Sequence, residues 1–242
     1  MAGSRTSAAP RRIVVVGNGI AGLTAADTLR AQGYDGELTV VGDEPRPAYS
    51  RPALSKALLT QDDLDAHRLP EATHGATELL GVRALGLDLE HRLVRLDDGD
   101  ALPWDGLVIA SGCRARRLGG PDSGELTLRG LDDALALRRR LAARPSVVVV
   151  GGGALGMEIA SGCLEAGCEV TVVSQGPPLR AQFGEHLSEL VTDAARAAGL
   201  RVVLTARATV CGRSGATAVE LAEGPRLEAD LVVTAAGDVA NL

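Results

Sequence analysis

Aromatic residues are nearly missing from this chain of 242 residues: one tryptophan, two tyrosines and one phenylalanine. Trp104, Tyr34, Tyr49 and Phe183 cannot make the stacking platform that holds single-stranded nucleic acid. A net charge of -6 points away from nucleic acid as well. The core must be packed from Val, Leu, Ile and Ala, and a hydrophobic content of 45% is enough to do so. Lysine is scarcer still, with Lys56 alone against 24 arginines. Codon bias accounts for the arginines, yet it sets the single lysine apart, because a compact ammonium and a planar guanidinium do different chemistry. Cysteine occurs four times, at Cys113, Cys163, Cys168 and Cys211, and never as CxxC. All four read as small buried hydrophobes in a reducing cytoplasm. The four histidines (His67, His74, His91 and His186) are scattered, so they read as surface residues with no metal site. No apolar run is long enough to cross a membrane, and Ile13–Val16 is too brief for the core of a signal peptide.

What the chain does have is a repeat. Ile13–Glu44 reads IVVVGNGIAGLTAADTLRAQGYDGELTVVGDE, and Val147–Gln175 reads VVVVGGGALGMEIASGCLEAGCEVTVVSQ. An offset of 134 superposes Gly17, Gly19, Gly22 and Gly33 on Gly151, Gly153, Gly156 and Gly167. Each copy runs from a β-branched strand through GxGxxG to an Ala-rich helix and a second strand, Leu38–Val41 or Val170–Val173. These are β-α-β units with parallel strands and right-handed crossovers. The first glycine makes the tight turn, the second leaves room for a pyrophosphate, and the third lets helix and strand pack closely. The phosphates then meet free N–H groups at the helix start, here Ile20 and Ala21 in one copy and Ala154 and Leu155 in the other. One such motif is weak evidence. Two in one chain, each with its strand and helix in place, predict an α/β fold of two Rossmann-like, doubly wound, three-layer domains.

The copies differ after the second strand. The first has Asp43 and Glu44, either able to accept hydrogen bonds from ribose hydroxyls, with Glu44 the better placed. The second has Ser174 and Gln175 and no acid. That permits NADP, and Arg180 lies within reach of a loop that could meet its phosphate. No basic residue follows the strand directly, so the coenzyme is read as NAD(P)H with a lean toward NADH.

Val41–Leu58 contains AYSRPALSK, similar to the PYxRPxLSK segment of the FAD-dependent pyridine nucleotide-disulfide oxidoreductase superfamily, and within it of the ferredoxin and rubredoxin reductase type. Tyr49, Arg51, Pro52, Leu54, Ser55 and Lys56 match; Ala48 replaces a proline. The resemblance implies that Arg51 lies by the FAD pyrophosphate and Lys56 by the flavin, where a cation favours the reduced anion. It implies a Glu158–Lys56 pair beside the nicotinamide, Glu158 lying near the start of the second glycine helix. Leu102–Gly112 resembles the family's strand ending in ATG, with Ala110, Ser111 and Gly112 in those places. In DLVVTAAGDVAN, Gly237 fits the family glycine and Ala240 replaces a proline. The implied activity is hydride transfer from NAD(P)H to FAD and single-electron delivery to a ferredoxin-like iron–sulfur protein, serving an oxygenase. Asp43–Leu59 has no cysteine, which speaks against disulfide reduction.

By this reading residues 1–12 are a loose tail, 13–113 the first part of the FAD domain, 114–237 the NAD(P)H domain, and 238–242 the return to the FAD domain. The family continues with a Gly-Asp strand that the chain, ending at Leu242, does not reach. The FAD domain is then incomplete at its C-terminal end: the chain is a fragment, or a partner chain or a second copy completes it, or the protein has drifted from catalysis. Two alternatives remain open: an NADH oxidase or nitrite-reductase-type flavin domain, and a non-catalytic dinucleotide-binding protein. Arg92–Asp98 with Gly99 predicts a β-hairpin, Leu131–Leu141 an amphipathic helix, Gly184–Gly199 another helix and Leu200–Leu204 a strand. Arg114, Arg116, Arg117 and Arg138–Arg140 read as a solvated face that could also greet an acidic ferredoxin.

Overall fold

The computed structural model describes residues 10–60, 65, 67–213 and 216–241. The chain divides into two compact units, Met1–Ser50 with Arg68–Gly112 and Ala240–Leu242, and Arg51–His67 with Cys113–Val239. The first nine residues of the expected tail lie outside the described residues. Pro10 to Arg12 are placed, and the first strand begins at Arg12, one residue before the apolar run. It is anchored there because Asp105 accepts the Arg12 backbone N–H at 2.9 Å and lies 3.2 Å from its guanidinium. Arg51–His67 sits inside the first segment of the sequence but groups by contact with the second unit.

In the first unit β1 (Arg12–Val16) leads into α1 (Ile20–Ala31) and β2 (Glu37–Gly42). Next come β3 (Thr77–Leu80), β4 (Ala84–Asp88), β5 (Leu93–Leu96), β6 (Ala101–Pro103) and β7 (Gly106–Ile109). A parallel sheet runs β3-β2-β1-β7, with Val14 opposite Thr39 and Leu107. Side chains alternate between its faces. Ile13, Val15, Leu38 and Val40 pack with Ala26 and Leu29 of α1. Val14 and Val41 pack with Val94 and Leu96 of the antiparallel meander β4-β5-β6. The three layers are thus helix, sheet and meander, and the strands read as unbroken apolar runs because both faces are covered. The expected hairpin is β5 and β6, and Gly99 supplies the positive φ of its turn at 95°.

The second unit opens with a short 3-10 turn (Arg51–Ser55) and α2 (Ala57–Thr60). There follow β8 (Cys113–Ala115), β9 (Leu126–Thr127), α3 (Leu131–Leu141), β10 (Ser146–Val150), α4 (Ala154–Glu165) and β11 (Glu169–Ser174). α5 (Arg180–Ala197), β12 (Arg201–Leu204), β13 (Ala208–Arg213), β14 (Ala216–Leu221), β15 (Leu227–Ala229), β16 (Leu231–Thr234) and β17 (Asp238–Ala240) complete it. Its parallel sheet runs β12-β11-β10-β16-β9. One face, through Val148, Val150, Val173 and Val232, meets Val210 and Val219 of the antiparallel sheet β13-β14-β15. α4 packs on β10 and β11 with Ile159, Ala160 and Cys163 buried. β8 pairs with β17.

α3 has the expected bounds; Asp133 accepts the Gly130 N–H at 3.0 Å and that of Arg129 at 2.8 Å, closing its first turn. α5 starts four residues earlier than expected and breaks at Gly184, whose φ of 77° no helix can hold. Two surface assignments need correction. His74 is buried: its Nδ1 accepts the Ala76 N–H at 3.0 Å, and its Nε2 lies 3.3 Å from Glu78 Oε1, so it knits the segment before β3. His67 is half-buried. Cys163 and Cys168 are buried as expected, but Cys113 and Cys211 are half-buried; the Cys113 thiol donates to Asp238 Oδ2 at 2.9 Å. No helix among the described residues is long and apolar enough to cross a membrane.

Candidate functional site: two glycine cradles

At the first turn Gly17 takes φ 116°, and a Cβ there would lie 2.0 Å from the Ala110 carbonyl oxygen. Gly22 is also filled space: its Cβ would meet the Gly17 carbonyl oxygen at 1.8 Å. Gly19 is different. It caps α1 in an extended conformation, φ -98°, with no side-chain capping bond, and a Cβ would meet nothing within 4 Å. Among the described residues no side chain caps the first N–H groups of α1, and the space beside Gly19 is open.

The second turn reproduces this. Gly151 has φ 129° with the Ala235 carbonyl oxygen 2.3 Å from a would-be Cβ, and Gly156 has the Gly151 carbonyl oxygen at 1.9 Å. Gly153 caps α4 at φ -78° without a side-chain bond, and its nearest neighbour would be Gln182 Nε2 at 3.7 Å. In both turns the first and third glycines are demanded by backbone contact and the middle one by nothing inside the protein. An unfilled cradle at a helix start is the space a pyrophosphate fits. Ile20 and Ala21, like Ala154 and Leu155, are exposed at these helix starts.

Asn18, between the first two glycines, was missed by motif reading because it holds a variable position. Its side-chain oxygen and nitrogen are both buried without a partner among the described residues. A buried amide left in that state is costly, and its place in the loop fits a polar ligand at the turn.

After β2, Glu44 accepts a 2.6 Å hydrogen bond from the hydroxyl of buried Tyr49, which fixes one carboxylate oxygen, while Asp43 is exposed. After β7 the Ser111 hydroxyl donates to the Asn241 carbonyl at 2.5 Å, and the Asn241 amide donates back to Ser111 O at 2.9 Å. Gly112 makes that turn at φ 67°. Asn241 is thus the clasp of this loop.

In the second unit a cleft of about 910 Å³ opens beside Gly151–Gly153 and the end of β11. Ser174 is buried there. Gly237, at φ 87°, accepts the Arg116 N–H at 3.0 Å. Lys56 Nζ lies 2.9 Å from Glu158 Oε1, and the Ser55 hydroxyl donates to Glu158 Oε2 at 2.5 Å. Burial pushes the Glu158 carboxyl up, but the hydrogen bonds from Ser55 and Lys56 and the lysine charge outweigh it, leaving the group below its ordinary value. Glu158 stands in the second turn of α4, so these partners, rather than the helix start, hold its charge. Arg51 donates to the Arg129 carbonyl at 2.6 Å. Several expected surface arginines are tied to carbonyls: Arg117 to Glu125, Arg138 to Leu58 and Arg140 to Asp230. Glu125 itself was not singled out by sequence. It is buried, and its carboxylate accepts the Thr234 hydroxyl at 2.6 Å and the N–H groups of Leu118 and Gly119 at 3.2 and 3.1 Å.

The family model for pyridine nucleotide-disulphide oxidoreductases matches residues 11–242. The chain belongs to that family. It is 36% identical over 234 residues to the ferredoxin–NAD(+) reductase component of a biphenyl dioxygenase system from Paraburkholderia xenovorans, covering 93% of this chain and 57% of that one. It is 34% identical to a rubredoxin–NAD(+) reductase of Pseudomonas putida, covering 95% and 63%. The crystal structure of a ferredoxin reductase from Rhodopseudomonas palustris superposes with a TM-score of 0.86 at 32% identity, over 96% of this chain and 60% of that one. The chain therefore spans about three-fifths of the length of these relatives. The expected Rossmann-like α/β class holds.

Proposed function

We propose that this chain is the FAD- and NAD(P)H-binding portion of a flavoprotein reductase that passes electrons from NAD(P)H, by way of FAD, to a ferredoxin-like iron–sulfur protein serving an oxygenase. The observation that carries the reading is the pair of open glycine cradles in one chain, one per unit. Residues 13–113 would supply most of the FAD site and 114–237 the NAD(P)H site. When bound, the two cofactors supply hydride and single-electron transfer between them.

The chain's own part is binding and orientation. Gly17, Gly19 and Gly22 form the FAD turn, whose phosphates would take the N–H groups of Ile20 and Ala21, and Glu44 would face a ribose hydroxyl. Ala110, Ser111 and Gly112 would line the flavin, and Arg51 would lie by its pyrophosphate. Gly151, Gly153 and Gly156 form the nicotinamide-nucleotide turn, with Ala154 and Leu155 at the helix start. Lys56 is the group proposed to sit near the flavin, and Glu158, 2.9 Å away, fixes its position. Ser55 holds the other carboxylate oxygen, so the pair has one geometry. Gly237 would shape the nucleotide-side wall. With no role left for a disulfide, free thiols suit a cytoplasmic setting.

The test is reduction of a [2Fe–2S] ferredoxin, followed through cytochrome c, by the FAD-loaded protein with NADH or NADPH. Ferredoxin-dependent turnover is expected. NAD(P)H consumption that needs only oxygen would instead mark an oxidase, and a chain that takes up no FAD would end the reading.

A further inference from the structure

We propose that the nucleotide cleft of the second unit selects the 2′-phosphorylated coenzyme, NADPH, over NADH; this rests on the reading that Gly151–Gly156 cradle a dinucleotide. Two of the relatives named above, from Paraburkholderia xenovorans and Pseudomonas putida, are NAD(+) reductases, so the assignment is a departure from them.

The argument begins at the end of β11, where a dinucleotide fold meets the adenosine ribose. A carboxylate there accepts from the free 2′-hydroxyl and repels a 2′-phosphate. This chain has Ser174 and Gln175, and both side chains are already used in folding the turn. The Ser174 hydroxyl donates to the Gly176 carbonyl at 2.6 Å. The Gln175 amide donates to the Ala206 carbonyl at 3.1 Å. Ser174 also lies against Gly152, where an added Cβ would come within 2.8 Å of its own Cβ, so the corner is close-packed. The spot therefore offers a ribose hydroxyl no carboxylate, only the neutral oxygens of the Gln175 amide and the Ser174 hydroxyl.

The charged residues that line the cleft have one sign. Arg116, Arg180 and Arg207 line the cleft, and the lining contains no aspartate or glutamate. The backbone of Arg207 is pinned where β12 gives way to β13: its carbonyl accepts the Thr205 hydroxyl at 3.0 Å and the Ala222 N–H at 2.9 Å. Arg116 is fixed through its N–H to Gly237 O at 3.0 Å. Arg180 lies 3.2 Å from Glu185 Oε1, but both side chains are more than half exposed, so the pair is screened and readily exchanged for a phosphate. Neither Arg116 nor Arg207 has an acidic partner among the described residues. A guanidinium matches a phosphate dianion in geometry as well as charge.

Isothermal titration of the whole chain separates the possibilities without any need for turnover. The probes are 2′,5′-ADP against 5′-AMP, then NADPH against NADH, at low and at high salt. We expect 2′,5′-ADP to bind about tenfold or more tighter than 5′-AMP, with the gap narrowing as salt screens the arginines. Arg207→Ala should weaken 2′,5′-ADP alone, and Ser174→Glu should bring the preference to NADH. Because each readout is a ratio within one variant, a general loss of folding leaves it unmoved. Equal or tighter binding of 5′-AMP, with NADH bound, overturns the proposal and leaves the dinucleotide reading standing. No binding of any of the four overturns both. An equal loss of both probes in Arg207→Ala also overturns it.

Discussion

The two glycines at the start of α4 should separate stability from binding when each is changed to alanine. In Gly156→Ala the new methyl would sit 1.9 Å from the Gly151 carbonyl oxygen and 2.9 Å from its carbon, both backbone atoms. Overpacking costs ~1–3 kcal/mol, and a backbone neighbour puts this site at the upper end. Alanine returns ~1 kcal/mol of helix propensity in a helix interior. The net loss of ~2 kcal/mol lowers Tm by ~4–8 °C for a domain of this size. Gly153→Ala meets nothing closer than Gln182 Nε2 at 3.7 Å, and its φ of -78° suits alanine. Its poorer capping, under ~1 kcal/mol, is offset by a stiffer unfolded chain, so Tm should hardly move. The methyl would, however, stand in the space read as the pyrophosphate seat. Nucleotide Kd should rise at least tenfold, or ~1.4 kcal/mol. Differential scanning fluorimetry and titration with NADPH give both numbers for both variants. A Gly153→Ala chain that binds as the parent does, or a Gly156→Ala chain that melts with it, would refute the assignment of the two glycines.

Three further outcomes follow from particular side chains. Glu125→Ala strips the partners from the Thr234 hydroxyl and two backbone N–H groups at a buried spot, so a loss of ~3 kcal/mol is expected by urea unfolding; a change under ~1 kcal/mol would show that water replaces the carboxylate. Glu158 is held below its ordinary value when folded, so its ion pair stabilises above the normal carboxylate range and fades as pH falls through it. The Tm gap between the parent and Glu158→Gln should therefore shrink on acidification, and a gap that widens would contradict the pairing. Burial pushes the Cys163 thiol up to about 12. It should stay unlabelled by a maleimide until the chain unfolds, whereas half-buried Cys211 reacts in the folded state; mass spectrometry of the labelled peptides decides it.

Much of the fold was legible because its signals are local and repeated. The β-branched runs of β1 and β10, the glycines after them, and Gly33 and Gly167 at φ 85° and 81° where the helices stop all follow from spacing. α3 was legible from amphipathic periodicity. What was hidden depends on distant partners. Nothing around His74 in sequence announces that it will be buried with its carbonyl bound by Arg30, 44 positions away. Nothing around Glu125 foretells Thr234, 109 positions away. Arginine is a solvated residue by default, so the carbonyls that hold Arg117, Arg138 and Arg140 could not be anticipated. Asn18 sits where the glycine motif carries no information. The grouping of Arg51–His67 with the second unit is likewise a matter of packing that no local pattern reports.

The central claim is that two dinucleotide seats in this chain serve one electron path. Its most direct test is anaerobic titration of the FAD-loaded chain with NADPH, following the flavin absorbance. The account predicts that the flavin colour bleaches with one equivalent of reductant, and that Gly19→Ala abolishes FAD loading while leaving nucleotide binding intact. Flavin that binds yet keeps its colour under excess NADPH and NADH would contradict it.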